Sequence, residues 1–164
     1  IGIDLYWDKT FLQEQRNVFA AQLDLSLRHH LPVVIHARES FSEILDVLEG
    51  YHHKGLKGIF HAFTGDVEIA KKITGMGFML GIGGILTYKK STLPEVVRET
   101  DLHMLVLETD SPYLTPVPYR GKRNESAYIP IIAEAIGQIK KLSLNEVATV
   151  TTENVLNLFS LDHG

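Results

Sequence analysis

Val33-Val34-Ile35-His36-Ala37-Arg38 decides how the chain folds: a β-branched run suited to the interior of a parallel sheet, ended by a histidine and an arginine. Pro32, just before it, stops a helix that the apolar face Leu12, Phe19, Leu23 and Leu27 predicts from about Phe11 to His30. Just after it, Ser40-Phe41-Ser42-Glu43 has the spacing of a capping box. A helix through Ile44, Leu45 and Leu48 then ends near Gly50. Strand followed by helix is the repeating unit of a parallel α/β fold.

The unit recurs downstream. Gly58-Ile59-Phe60 reads as a strand, and Asp66 caps a helix carrying Ile69, Ala70 and Ile73 that Gly75 or Gly77 ends. Phe78 to Ile82 is the next strand. Thr92-Leu93-Pro94 opens a helix with proline in its first turn, and Leu105-Val106-Leu107 is the fourth strand of the series. Ser111 to about Tyr128, with Pro112, Pro116 and Pro118, breaks the pattern as a long irregular segment of the functional or disordered kind. Helical periodicity returns at Ile132, Ile136 and Ile139, and Ser143-Leu144-Asn145-Glu146 is a second capping box. The four strands suit a small open sheet or part of a (β/α)8 barrel, and periodicity does not choose between them.

Composition bounds the chemistry. The 164 residues, 45% hydrophobic and 22% charged, describe one ordinary globular domain. No apolar stretch approaches the roughly 20 residues needed to span a bilayer, so a cytoplasmic protein is expected. Without cysteine, any metal must be held by nitrogen and oxygen. A net charge of −4 argues against nucleic-acid binding over the whole surface while leaving room for a local basic patch. The chain opens on Ile1-Gly2-Ile3 rather than methionine, which leads us to expect a missing N-terminal segment.

Three apolar runs end in residues able to ligate a metal: His36, then His61 in Ile59-Phe60-His61-Ala62-Phe63, then Asp110 in Leu105-Val106-Leu107-Glu108-Thr109-Asp110. Active sites of parallel α/β folds lie at such strand ends. One histidine there is more often simply hydrogen-bonded. Two imidazoles and a carboxylate together form a ligand set for zinc, manganese or magnesium. Such a set acidifies a bound water and favours hydrolysis, with Asp110 bridging to that water or taking its proton. Glu108 reads as a supporting carboxylate.

Pro118-Tyr119-Arg120-Gly121-Lys122-Arg123-Asn124-Glu125 sets three cations against one anion directly after the Asp110 strand. Arg120, Lys122 and Arg123, with Arg38, are therefore candidate phosphate contacts, solvated surface charge being the plainer reading. Tyr113 and Tyr119 could stack on a base or pack the loop. Gly81-Ile82-Gly83-Gly84 does not match a nucleotide-binding fingerprint and reads as close backbone approach. His29, His30, His52, His53, His103 and His163 form no constellation.

These motifs resemble those of the TatD-type metal-dependent deoxyribonucleases over almost the whole chain. The resemblance rests on Ile1-Gly2-Ile3-Asp4, Leu31-Pro32-Val33-Val34-Ile35-His36-Ala37-Arg38, Phe60-His61-Ala62-Phe63-Thr64-Gly65, Leu107-Glu108-Thr109-Asp110-Ser111-Pro112-Tyr113-Leu114 and the basic loop. Thr151-Thr152-Glu153-Asn154 fits as well. It implies a TIM-like barrel, one to three divalent ions (Mg, Mn or Zn) on His36, His61 and Asp110, and hydrolysis of DNA phosphodiesters, often from the 3′ end. It also implies a His-x-His pair and a ligating glutamate that this chain does not contain. A (β/α)8 barrel takes about 250 residues. We therefore expect the C-terminal part of one barrel domain, completed by a missing segment or an oligomer partner and impaired in catalysis by itself. The alternatives are an amidohydrolase acting on a small substrate and a non-catalytic fragment that keeps the fold.

Overall fold

The computed structural model describes residues 1–161, so His163 lies outside the described residues. Five strands, one more than the sequence pattern gives, form one parallel sheet: β1 (Gly2–Asp4), β2 (Val33–Arg38), β3 (Gly58–Phe60), β4 (Met79–Ile82) and β5 (Leu105–Leu107), in sequential order. Helices α1 (Leu12–His29), α2 (Phe41–Glu49), α3 (Val67–Gly75) and α4 (Leu93–Glu99) connect them. Helices α5 (Ile129–Lys140) and α6 (Leu144–Phe159) follow β5.

The additional strand is the opening apolar run. Gly2, Ile3 and Asp4 pair in parallel with His36, Ala37 and Arg38. Gly2 has a φ of +144°, and a Cβ there would collide with the His36 carbonyl oxygen. Only glycine lets the two backbones approach so closely.

Side chains alternate across the sheet as strand geometry requires. One face sends Ile3, Ile35, Phe60, Leu80 and Leu105 into the main core, where Phe19, Leu23, Ile44, Ile73, Val96 and Ile136 meet them. The opposite face carries Val34, His36, Ile59, His61, Val106 and Glu108. A small apolar cluster there joins Ile59 and Val106 to Leu158 at the end of α6. Val34, read from sequence as part of a wholly interior strand, is 44% exposed because it lies on this less covered face.

Local sequence explains most boundaries. Asp66 accepts from the Ile69 amide at the start of α3, and Ser143 with Glu146 completes the second capping box. The first predicted box is corrected. Ser40 makes no cap bond to α2. Its buried hydroxyl donates to the Ile3 carbonyl at 2.5 Å and accepts from the Arg38 amide at 3.1 Å, tying β1 to β2.

The long segment after β5 is packed rather than loose. Buried Asn124 donates from its side chain to the Tyr113 carbonyl and from its amide to the Pro112 carbonyl. Thr115 donates to the Lys122 carbonyl at 2.5 Å. Gly84 lies so close to the Leu114 carbonyl that a Cβ would collide with it, as the glycine-rich run suggested. Asn154 in α6 donates to the Leu102 and Leu105 carbonyls at 2.9 and 2.8 Å, holding that helix to the start of β5.

Candidate functional site

Parallel pairing sets the strand ends side by side, so neighbouring strands present their terminal side chains to one another. His36 Nδ1 lies 3.1 Å from His61 Nε2, and His36 Nε2 lies 2.9 Å from Asp4 Oδ2. At most one of the two facing imidazole nitrogens carries a hydrogen. The other supplies the lone pair.

Asp4 is held in place from three sides. Its Oδ1 accepts from the Tyr6 amide at 3.0 Å, its own amide donates to Gln15 Oε1 at 2.8 Å, and its carbonyl accepts from Gln15 Nε2 at 3.1 Å. Partial burial pushes the carboxyl up. The Tyr6 amide, the His36 ring and the Arg38 guanidinium outweigh burial and leave it below the usual aspartate value. Asp4 therefore stays anionic beside His36.

For His61, burial and the neighbouring His36 hold the imidazole below its ordinary value, while Asp110 acts in the opposite sense. A neutral His61 is the form that ligates a metal. Asp110 comes near enough for its charge to act on His61 and Glu108 without hydrogen-bonding to either.

Glu108 is the supporting carboxylate of the group. Its side chain accepts from the Ala62 amide, fixing the turn directly after His61, where Ala62 itself has a φ of +45°. Burial first, and Asp110 with it, push Glu108 up to about 7 against the pull of that amide. Gly81 makes the room, since a Cβ there would press on the Glu108 carboxyl and the His61 backbone.

The structure thus joins His36 and His61 directly and brings Asp110 within electrostatic range. Among the described residues, no three histidine or carboxylate side chains converge on one point able to hold an ion. The donor chemistry of two imidazoles suits a borderline divalent ion, which the His36 and His61 nitrogens could hold from one side only. Asp4 is the residue that the sequence reading passed over. The rule that found the others, an apolar run closed by a ligand-type side chain, applies equally to Ile1-Gly2-Ile3-Asp4.

The four candidate phosphate contacts divide into separate places. Arg38 stacks over Tyr6, its guanidinium carbon 3.6 Å from the ring centroid. Arg120 lies over Tyr88 at 4.3 Å and, with Lys89, Lys90 and Ser91, lines a concavity of about 420 Å³. Lys122 lies 5.7 Å from the Tyr119 ring. Arg123 is exposed. Tyr119 stacks on Tyr128 at 4.7 Å, so it packs the loop, whereas Tyr113 is exposed.

Residues 1–160 match the model of the TatD related DNase family, and the chain belongs to that family. Over 163 residues it is 39% identical to the uncharacterized metal-dependent hydrolase YabD of Bacillus subtilis, covering 99% of this chain and 64% of that protein. The uncharacterized metal-dependent hydrolase BU355 of Buchnera aphidicola is 34% identical, with 98% and 61% covered. The crystal structure of YjjV, a TatD homologue of Escherichia coli, superposes with a TM-score of 0.91 at 26% identity, over 99% of this chain and 62% of that one. The fold is therefore that of the TatD-like TIM barrels. The chain spans less than two thirds of the length of these relatives. Among the described residues no helix is long and apolar enough to cross a membrane.

Proposed function

We propose that His36, His61 and Asp110 contribute to the metal site of a phosphodiesterase that degrades DNA, acting on strands from the 3′ end. The observation that carries this reading is the His36–His61 pair, with Asp4 behind it, on three successive strand ends. A divalent ion there supplies Lewis acidity towards water and a phosphoryl oxygen. His36 and His61 would hold it by ring nitrogens while Asp4 orients the His36 ring, and Asp110 would serve as ligand and take the water's proton. Arg38, Arg120, Lys122 and Arg123 hold phosphate oxygens. The His-x-His pair and glutamate that the family resemblance calls for are not among these residues, so they form a share of the site.

A second reading, a non-catalytic protein that keeps the fold, is favoured by the lack, among the described residues, of a third donor converging on the histidine pair. No lysine ends a strand, which disfavours a carboxylated-lysine amidohydrolase. The deciding experiment is degradation of 3′-labelled single-stranded DNA by the full-length gene product, with and without chelator, beside Asp110→Asn. Metal-dependent release of nucleotides that Asp110→Asn loses supports the first reading. Equal activity of variant and parent overturns it.

A further inference from the structure

Two aromatic side chains follow directly on β1. Tyr6 is 46% exposed, and Trp7, at 82%, is almost wholly in solvent. A tryptophan is seldom left so bare, because its ring forfeits more burial than any other side chain. The two rings meet edge to face, with centroids 4.7 Å apart at 88°. Arg38 covers Tyr6 at 3.6 Å and lies 6.0 Å from Trp7. One carboxylate connects this group to the histidine pair: Asp4 Oδ1 takes the Tyr6 amide and Oδ2 faces His36.

We propose that Trp7 is a stacking platform for a nucleobase of a single-stranded DNA substrate, buttressed edge to face by Tyr6, with Arg38 turned towards the adjoining phosphate. The inference rests on the deoxyribonuclease reading and adds to it how a strand is held. A π-face stacks on any base, so it grips DNA without selecting sequence, as a degradative enzyme requires. A guanidinium whose carbon lies over the Tyr6 ring leaves N–H groups for phosphate oxygens. Exposed Asp8 and Lys9 follow Trp7 in the chain, polar neighbours that suit a nucleotide better than an apolar protein surface.

Trp7 is the chain's one tryptophan, so its emission reports on this spot alone. The test is titration of the chain in chelator with a short oligothymidylate and with an abasic oligomer of equal phosphate count. The expected result is saturable quenching by the oligothymidylate, with about tenfold weaker binding of the abasic oligomer. Trp7→Ala should weaken binding of a labelled oligothymidylate about tenfold by anisotropy at unchanged circular dichroism, while Trp7→Phe stays within about threefold. Binding that leaves Trp7 emission unchanged, or equal affinity for the abasic oligomer, overturns the platform and leaves the deoxyribonuclease reading standing. Failure of both oligomers to bind, together with no cleavage by the full-length product, overturns both.

Discussion

His36 Nδ1 and His61 Nε2 face one another across 3.1 Å from adjacent parallel strands, and Asp4 holds the His36 ring at its other nitrogen. Burial and the neighbouring His36 hold the His61 imidazole below its ordinary value, which favours the neutral form that ligates a metal. Divalent metal should shift the C2–H resonances of both histidines together, and binding should strengthen as pH rises from 5 to 7 because the protonated ring has no free lone pair. Calorimetric titration checks it: His36→Ala should weaken metal binding by at least about tenfold. Undiminished affinity would remove the pair from the metal site.

Asp4→Asn leaves both backbone bonds to Gln15 available but withdraws the charge that orients His36. Metal affinity should fall by roughly 10–100-fold with little change in melting temperature. A variant with parental affinity and a lower melting temperature would make Asp4 purely structural.

Glu108, held at about 7, keeps a proton in the folded chain that the unfolded chain gives up near the usual 4.5. Its contribution to stability is present at low pH and is lost as pH rises through that interval. Thermal melts in chelator between these pH values should show the loss, and Glu108→Gln, which still accepts from the Ala62 amide, should flatten it. Parallel slopes in parent and variant would contradict the assignment.

Asn154→Ala removes two buried hydrogen bonds that fasten α6 to the start of β5. The expected cost is about 2–3 kcal/mol by chemical denaturation, most of it from two carbonyls left without that donor. A change below about 0.5 kcal/mol, the range of ordinary surface substitutions, would mean that water replaces the amide.

Gly84→Ala drives a methyl group into the Leu114 carbonyl, whereas a Cβ at Gly75 meets nothing. The first substitution should destabilise by roughly 1–3 kcal/mol. The second should be neutral or stabilise by up to about 1 kcal/mol, since alanine narrows the unfolded ensemble. Denaturant midpoints of the two variants distinguish these outcomes.

Local pattern revealed what depends on local physics. Apolar runs located β2 to β5, and Asp66 and Ser143 marked helix starts because a capping bond spans only three residues. It failed where a distant partner decides. Gly2–Asp4 is as long as β3 and β5 but carries one apolar residue, Ile3, and is a strand through its pairing with His36, 34 positions on from Gly2. Ser40 has the spacing of a cap, yet the Ile3 carbonyl, 37 residues away, takes its hydroxyl. The strand-end rule singled out His36, His61 and Asp110, but nothing in the sequence shows that the first two touch while the Asp110 side chain hydrogen-bonds to neither. Arg120 likewise looked like part of one basic loop until Tyr88, from the segment after β4, turned out to be its partner.

The strictly sequential strand order bears on how the molecule comes into being. Paired residues such as Gly2 and His36, Val33 and Gly58, Ile59 and Met79, and Leu80 and Leu105 are 34, 25, 20 and 25 positions apart, so no strand waits for one made much later. Loops of that length close at modest entropic cost. On the ribosome these five strands can therefore pair in the order in which they emerge. Asp4, His36 and His61 can meet before the Asp110 strand joins the sheet, and α6, made after β5, locks Leu158 onto Ile59 and Val106.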